Sequence, residues 1–247
     1  MKVFKKTWSF VKGFFILNII WYICAKFMNS RILPTPDKIY MHIPTIFKEG
    51  FYIHVVASMY RVIIGLLISF IIGSIIGLIM GYSKKINNIL NPLVYFVYPI
   101  PKTALLPVIM TLYGLGDGSK ITIIVLITIF QVIVSVRDAV MNVDKVNYNP
   151  LISLGASKLQ IFYNVTWPAI LSEVLTNIRL SIGTAFSVLF FAEAYGTSLG
   201  IGYFIQDSWT RINYIDMYSG IVILSLLGLI LFIILDYIED IVCRWKR

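Results

Sequence analysis

The chain has 247 residues, of which 58% are apolar and only 13% charged, with a mean hydropathy of +0.84 and a net charge of +9. Soluble domains carry about 45–50% apolar and about 25% charged residues, so this balance excludes an ordinary soluble protein and indicates an integral membrane protein. The positive charge would suggest nucleic acid in a soluble chain, but here Lys and Arg flank apolar runs, where they set orientation in a bilayer, and no nucleic-acid partner is expected.

A membrane-crossing helix needs about 20 mostly apolar residues. Six stretches qualify, at 10–27, 55–82, 92–113, 121–141, 174–192 and 217–238. The expected fold is therefore an all-α membrane bundle. A first unit, 1–54, holds one span and an outer loop; a core unit, 55–247, holds five spans and a cytoplasmic loop at about 142–172. The lysines before the first span resemble the start of a signal peptide, but no small-residue cleavage site follows, so the span is read as retained. Cys24 and Cys243 form no disulfide or zinc pattern.

The loop after the first span contains Pro34, Pro36 and Pro44 with mixed charges and reads as an ordered surface connection rather than a domain. His42 and His54 fall there, twelve apart and with no acidic or cysteine cluster beside them, which favours solvated surface over a metal site. The second span carries Gly65, Ser69, Gly73, Gly77 and Gly81 at intervals of four. Such a ridge of small residues lets another helix approach closely in lipid, and packing within the chain is favoured over packing with a second copy.

Four prolines follow in sixteen residues, Pro92, Pro99, Pro101 and Pro107. They predict either a broken helix covered by protein or a water-filled pathway, or a re-entrant segment before a shorter span; Lys102 suits both, since it can snorkel to the inner surface. The run GLGDGSK at 114–120 lacks the spacing of a phosphate loop and is read as an outer turn.

The polar interruption at 149–170, NPLISLGASKLQIFYNVTWPAI, stands out from the lipid-compatible sequence around it. Ser157 and Gln160 have capping-box spacing, which predicts a helix starting at Ser157. Gly155 suits the left-handed residue ending a preceding helix, and Pro168 is expected to stop the following one. The result is two short helices joined by a tight corner. Leu159, Phe162 and Val165 or Thr166 form an apolar face, with Lys158, Gln160 and Asn164 elsewhere, so the element should lie flat against a partner surface. The triplet Asn164-Val165-Thr166 matches a glycosylation site but would be idle inside the cell.

Glu193 is the most deeply placed acid. It is a candidate for a pathway or gate residue, or alternatively a helix-end carboxylate at the outer interface beside Arg211 or Lys120. Gly196, Gly200 and Gly202 mark an irregular loop after it. At the end of the last span, Asp240 and Arg244 stand four apart in the favourable order, extending the helix into the cytoplasm.

An even number of spans puts both termini on one side. If that side is cytoplasmic, it collects Lys2, Lys5, Lys6, Lys12, Lys84, Lys85, Lys102, Arg137, Lys145, Lys158, Arg179, Arg244, Lys246 and Arg247, fourteen of the 21 basic residues. The outer side keeps Lys26, Arg31, Lys38, Lys48, Arg61, Lys120 and Arg211. The bias places the termini, and the 149–170 stretch, inside the cell.

The stretch SLGASKLQIFYNVTWPAI at 153–170, together with EAYGTSLGIGYFI at 193–205, resembles the permease subunit of bacterial ATP-binding-cassette (ABC) importers of the nitrate, sulfonate and taurine group. Leu33-Pro34, the glycine-rich second span and Ile100-Pro101 extend the resemblance over most of the chain. Asn149-Pro150-Leu151 stands where relatives have EAA, Gly155 fills the family's glycine position, and Ser172 replaces a second proline.

The resemblance implies a type I importer permease of the bacterial or archaeal cell membrane, with no cofactor and no catalysis of its own. It would pair as a homodimer and work with cytoplasmic ABC ATPase subunits and an external solute-binding protein. Leu154, Gly155, Ala156, Ser157, Gln160, Phe162 and Pro168 would couple to the ATPase, and Glu193, Gly196, Pro101 and Lys102 would lie on the pathway or gate. An intramembrane enzyme would need facing ionisable groups at membrane depth, and a gradient-driven transporter would need inverted repeats; the sequence offers neither pattern.

Overall fold

The structure, a computed structural model, describes residues 2–28 and 32–243, with side chains from Lys12 onward except at Lys145. Among the described residues all regular structure is helical. In chain order the helices are α1 (Lys2–Met28), α2 (Pro36–Lys48), α3 (Tyr52–Tyr82), α4 (Lys84–Val97), α5 (Leu106–Tyr113), α6 (Asp117–Met141), α7 (Asn149–Ser153), α8 (Lys158–Ile161), α9 (Trp167–Ala194), α10 (Ile201–Thr210) and α11 (Tyr214–Val242). By length and composition, α3, α6, the continuous Lys158–Ala194 stretch ending in α9, and α11 suffice to cross a membrane, and the α4–α5 region adds a fifth crossing if taken as one span. Large apolar side chains such as Leu67, Ile71, Ile75, Ile230 and Ile233 lie exposed on these helices, as expected where hydrocarbon replaces water as solvent.

The small-residue edge of α3 faces α6 of the same chain. A β-carbon at Gly65 would collide with Ile124, at Gly73 with Val132, at Gly81 with Val140, and at Gly77 it would sit 2.8 Å from both the Ile133 carbonyl oxygen and Val136. Within this seam Ser69 donates to the Gly65 carbonyl at 2.8 Å and lies 2.7 Å from the Thr128 hydroxyl. The backbones approach because nothing stands between them, and van der Waals contact then replaces the hydrophobic force that lipid cannot supply. Beyond the seam, Val132, Val136 and Val140 of α6 cluster with Ile170 and Val174 of α9. A separate cluster of Ile46, Phe51, Ile201, Ile205 and Ile223 joins α2 and the start of α3 to α10 and α11.

Several expectations are corrected. The proline-rich segment breaks as expected, but not with Pro92 at its start: Pro92 lies inside α4, the chain breaks at 98–101, and the two halves are bent by 79°. The proline ring at Pro101 and the missing N–H groups explain why the ladder is not restored there. The connection after α1 holds a helix of its own: Pro36 opens α2 at a position where its missing N–H costs nothing, and Pro44 is carried inside that helix. In GLGDGSK only 114–116 form the turn; Asp117 to Lys120 are the first turn of α6. The histidines are engaged with other elements: His42 Nε2 lies 2.6 Å from Asp216 on α11, and Gly200 N–H donates to His54 Nδ1 at 3.1 Å. The expected Asp240–Arg244 pair lies outside the described residues. Asp236 and Glu239 on α11 instead receive Arg179 of α9, the latter at 2.8 Å.

Candidate functional site

Two places gather polar groups, one at each end of α9, whose 28 residues put them about 40 Å apart. The first is the corner before it. α7 begins with Asn149 and Pro150 and ends on Gly155, whose φ of +74° is the left-handed conformation. Gly155 N–H donates to Ile152 O and Ala156 N–H to Leu151 O, both at 3.0 Å, which satisfies the last carbonyls of α7 in a Schellman arrangement. Two residues later Ser157 caps α8. Its N–H donates to Gln160 Oε1 at 2.7 Å while Gln160 N–H donates back to Ser157 Oγ at 3.4 Å, so both halves of the capping box form.

Pro168 does not stop the helix that follows. The chain passes through a π-helical turn, Phe162–Thr166, into α9, where Pro168 occupies the first turn and needs no intrahelical donor. Phe162 packs against Trp167, with ring centroids 6.0 Å apart. The buried hydroxyl of Thr166 accepts from Tyr82 OH at 2.5 Å and lies 3.3 Å from Tyr148 OH, so the corner is tied to the end of α3. Leu154 is 84% exposed and Leu159 70%, with Ile152 and Tyr163 exposed beside them. These apolar groups project from an element that is capped at both helix junctions.

The second place is the far end of α9. Glu193 is fully buried and its carboxylate accepts from Arg61 at 2.6 Å, from Ser58 at 2.8 Å and from the N–H of Gly202 at 2.9 Å. Arg61, also buried, donates to Asp117 at 2.7 Å and to the Leu199 carbonyl at 2.8 Å. Ser58 in turn accepts from Ile201 N–H at 2.8 Å. Lys120 is wholly buried next to this group, donating to the carbonyls of Leu115 and of Gly196, the latter at 3.2 Å. Two cations and two carboxylates therefore join α3, α6, α9 and α10. An ion pair removed from water is tolerated only when its remaining hydrogen-bonding capacity is satisfied, and that condition is met at Glu193.

The ion-pair partner of Glu193 is Arg61, with Lys120 buried nearby, while Arg211 pairs with Asp207. Gly196, in the left-handed region with φ of +62°, borders the cluster through Leu115 and Lys120. Pro101 and Lys102 belong elsewhere. Lys102 donates to the carbonyls of Val97 and Tyr98, at 3.1 and 2.9 Å, and so closes the end of α4 at the break. Sequence reasoning missed Arg61 and Ser58 as partners of Glu193, Asp117 as the second carboxylate on Arg61, and Tyr82 and Tyr148 as anchors of the corner. A signal was available for Arg61 alone, since a cation inside a long apolar run requires a counter-ion.

Residues 69–247, which hold the α3–α6 seam from Ser69 onward, the double-capped corner and Glu193, match the family described as binding-protein-dependent transport system inner membrane component. The chain belongs to that family. This inner membrane component is 28% identical to the formylaminopyrimidine transport permease protein ThiX of Halalkalibacterium halodurans, over 95% of this chain and 94% of the relative. It is also 28% identical to the taurine transport system permease protein TauC of Escherichia coli, over 87% and 82%, and 27% identical to the putative aliphatic sulfonates transport permease protein SsuC of Bacillus subtilis, over 98% and 90%. Its fold is similar to that of a chain in the inward-facing MetNI methionine ABC transporter, with a TM-score of 0.64 at 18% identity, covering 76% of this chain and 94% of the other. The permease is an all-helical ABC importer subunit of the inner membrane and not an enzyme; ATP hydrolysis resides on a separate subunit. Ser58, Arg61, α1 and α2 precede the matched region.

Proposed function

We propose that two copies of this permease pair around a translocation pathway and import a small polar or anionic solute delivered by an external binding protein. The observation that carries the mechanism is the rigid corner with its exposed Leu154 and Leu159. Leu154, Gly155, Ala156, Ser157, Gln160 and Phe162 seat in a groove of a cytoplasmic ATPase, and Pro168 starts the helix that carries the movement into the membrane. Closure of the ATPases then displaces α9, and the displacement reaches Glu193 at its far end. Force applied to a floppy loop would dissipate, whereas a capped corner continuous with a long helix transmits it to a bundle with two packings. In this scheme Glu193 and Gly196 form part of the gate, and the break at Pro101 and Lys102 is where the lining of the pathway flexes.

The orientation has six spans, with α1 and the α4–α5 region counted, and both termini in the cytoplasm. Setting aside Arg137 and Arg179, which pair with acids, and the buried Arg61 and Lys120, the inner side still holds twelve basic residues against five. Residues 1–54 then form an added span with its outer helix, and 55–247 the five-span core. The relatives, named for a formylaminopyrimidine, taurine and aliphatic sulfonates, all small and polar, support this substrate class; nitrate belongs to the same range. A cysteine at Leu154 should cross-link to the ATPase in the assembled transporter, in proportion to nucleotide state. Absence of any cross-link in every nucleotide state would refute the docking. Melting shifts of the partner binding protein, screened against sulfonates, nitrate and pyrimidine precursors, identify the solute.

A further inference from the structure

A cavity of about 570 Å³ runs between α1 and α11, walled by Gly13, Phe14, Leu17 and Trp21 on one side and by Tyr218 and Leu229 on the other. Trp21 and Tyr218 pack with ring centroids 5.8 Å apart and form its firm wall. A second cavity of about 710 Å³ shares Leu33 as a wall, and its character differs: Lys26, Lys38, Thr35 and Asn213 line it, together with apolar groups. No acid lines it. Asp216, the acid nearest Asn213, is held by His42 and Asn213, and Lys26 and Lys38 make no ion pair among the described residues. Lys26 rests its ammonium 5.3 Å from the centre of the Tyr22 ring.

The dimensions match one leaflet of a bilayer. From Lys26 back to Gly13 the helix rises about 20 Å, against roughly 15 Å for half of a 30 Å hydrocarbon core. Tyr22 and Tyr214 lie at the basic end, the level at which aromatic residues meet headgroups, while Tyr40 packs on Phe14 and donates to Asn18 further along the trough. An apolar trough one leaflet deep, closed at its interfacial end by two uncompensated ammonium groups, has the shape and charge of a lipid with a negative headgroup. We propose that the α1–α11 cleft is a binding site for an anionic glycerophospholipid, with one acyl chain between Phe14, Leu17 and Leu229 and its phosphate between Lys26 and Lys38. The lipid wedges α1 against α11 and fills a seam that helix packing leaves open.

The full-length protein reconstituted into phosphatidylcholine vesicles tests this, with Trp21 as the sole tryptophan and the other four replaced by Phe. Dibrominated phosphatidylglycerol should quench Trp21 at about fivefold lower mole fraction than dibrominated phosphatidylcholine. Lys26→Gln with Lys38→Gln should remove that preference, and Gly13→Leu, whose side chain enters the trough from an open position, should weaken quenching by both lipids. Equal quenching by the two lipids in the parent protein, or a preference that survives loss of both lysines, overturns the site. Absence of quenching by either, with Leu17→Cys cross-linking to a second copy, overturns it in favour of a protein–protein seam.

Discussion

The backbone at Gly200 lies so close to the carboxylate of Glu193 that a β-carbon at Gly200 would occupy the place of the carboxylate itself. The close approach is possible because Gly200 adopts φ of +130°, a conformation that L side chains rarely reach. It brings the start of α10 over the end of α9, where Gly202 N–H and Ser58 both reach Glu193.

We predict that Gly200→Ala destabilises the permease by about 2 kcal/mol or more, through backbone strain and through displacement of the Glu193 carboxylate from its donors. Gly116→Ala is the control, since Gly116 has φ of −75° and open space where its β-carbon would go. Thermal unfolding of the purified protein in detergent compares them; equal midpoints for the two variants would contradict the steric account.

Removing one partner of a buried ion pair leaves a charge without compensation, which costs about 3–5 kcal/mol. Arg61→Met should therefore be strongly destabilising, because Glu193 remains sealed from water. Adding Glu193→Gln should restore part of the loss, since the neutral side chain keeps an acceptor for Ser58 and Gly202. The coupling is read from a double-mutant cycle on unfolding midpoints and on solute uptake. Additive effects would mean that the two charges do not depend on each other.

At Gly155 no atom stands within 4 Å of a built β-carbon, so substitution there tests conformation alone. Gly155→Val should abolish solute-stimulated ATP hydrolysis while the amount of protein in the membrane stays unchanged, because a β-branched residue resists φ of +74°. Gly155→Asn, which visits that region more readily, should retain much of the activity. Unimpaired stimulation in the Val variant would show that the corner does not need this turn.

Gly77→Val meets a different obstacle, the carbonyl of Ile133 and the side chain of Val136. Overpacking of this kind costs about 1–3 kcal/mol, and the α3–α6 seam should open rather than adjust. Faster proteolysis of the loop between α6 and α7, together with a lowered unfolding midpoint, is the expected outcome; a wild-type proteolysis pattern would argue against a rigid seam.

Much of the corner was legible before any coordinates, because capping is local chemistry. Ser157, Gln160 and Gly155 act on backbone groups within a few residues of themselves, and spacing alone specifies those bonds. Pro168 misled, since a proline that ends one helix and a proline that opens another are identical in sequence, and only the π turn before it distinguishes them. The bend after α4 was also announced by its prolines, though its angle and the capping role of Lys102 were not.

Composition and hydrophobic length determined by themselves that this is a helical membrane protein, and the four-residue interval of Gly65, Ser69, Gly73, Gly77 and Gly81 determined that α3 would be closely approached. Those properties are periodic along one chain segment, so they survive without knowledge of neighbours. Only the tertiary structure decided that the approaching helix is α6, and that Glu193, which sequence left between a gate and an interfacial acid, is enclosed by Arg61 and Ser58, 132 and 135 residues earlier in the chain. A charge states its need for a partner, but which partner it finds depends on how distant helices come to lie side by side.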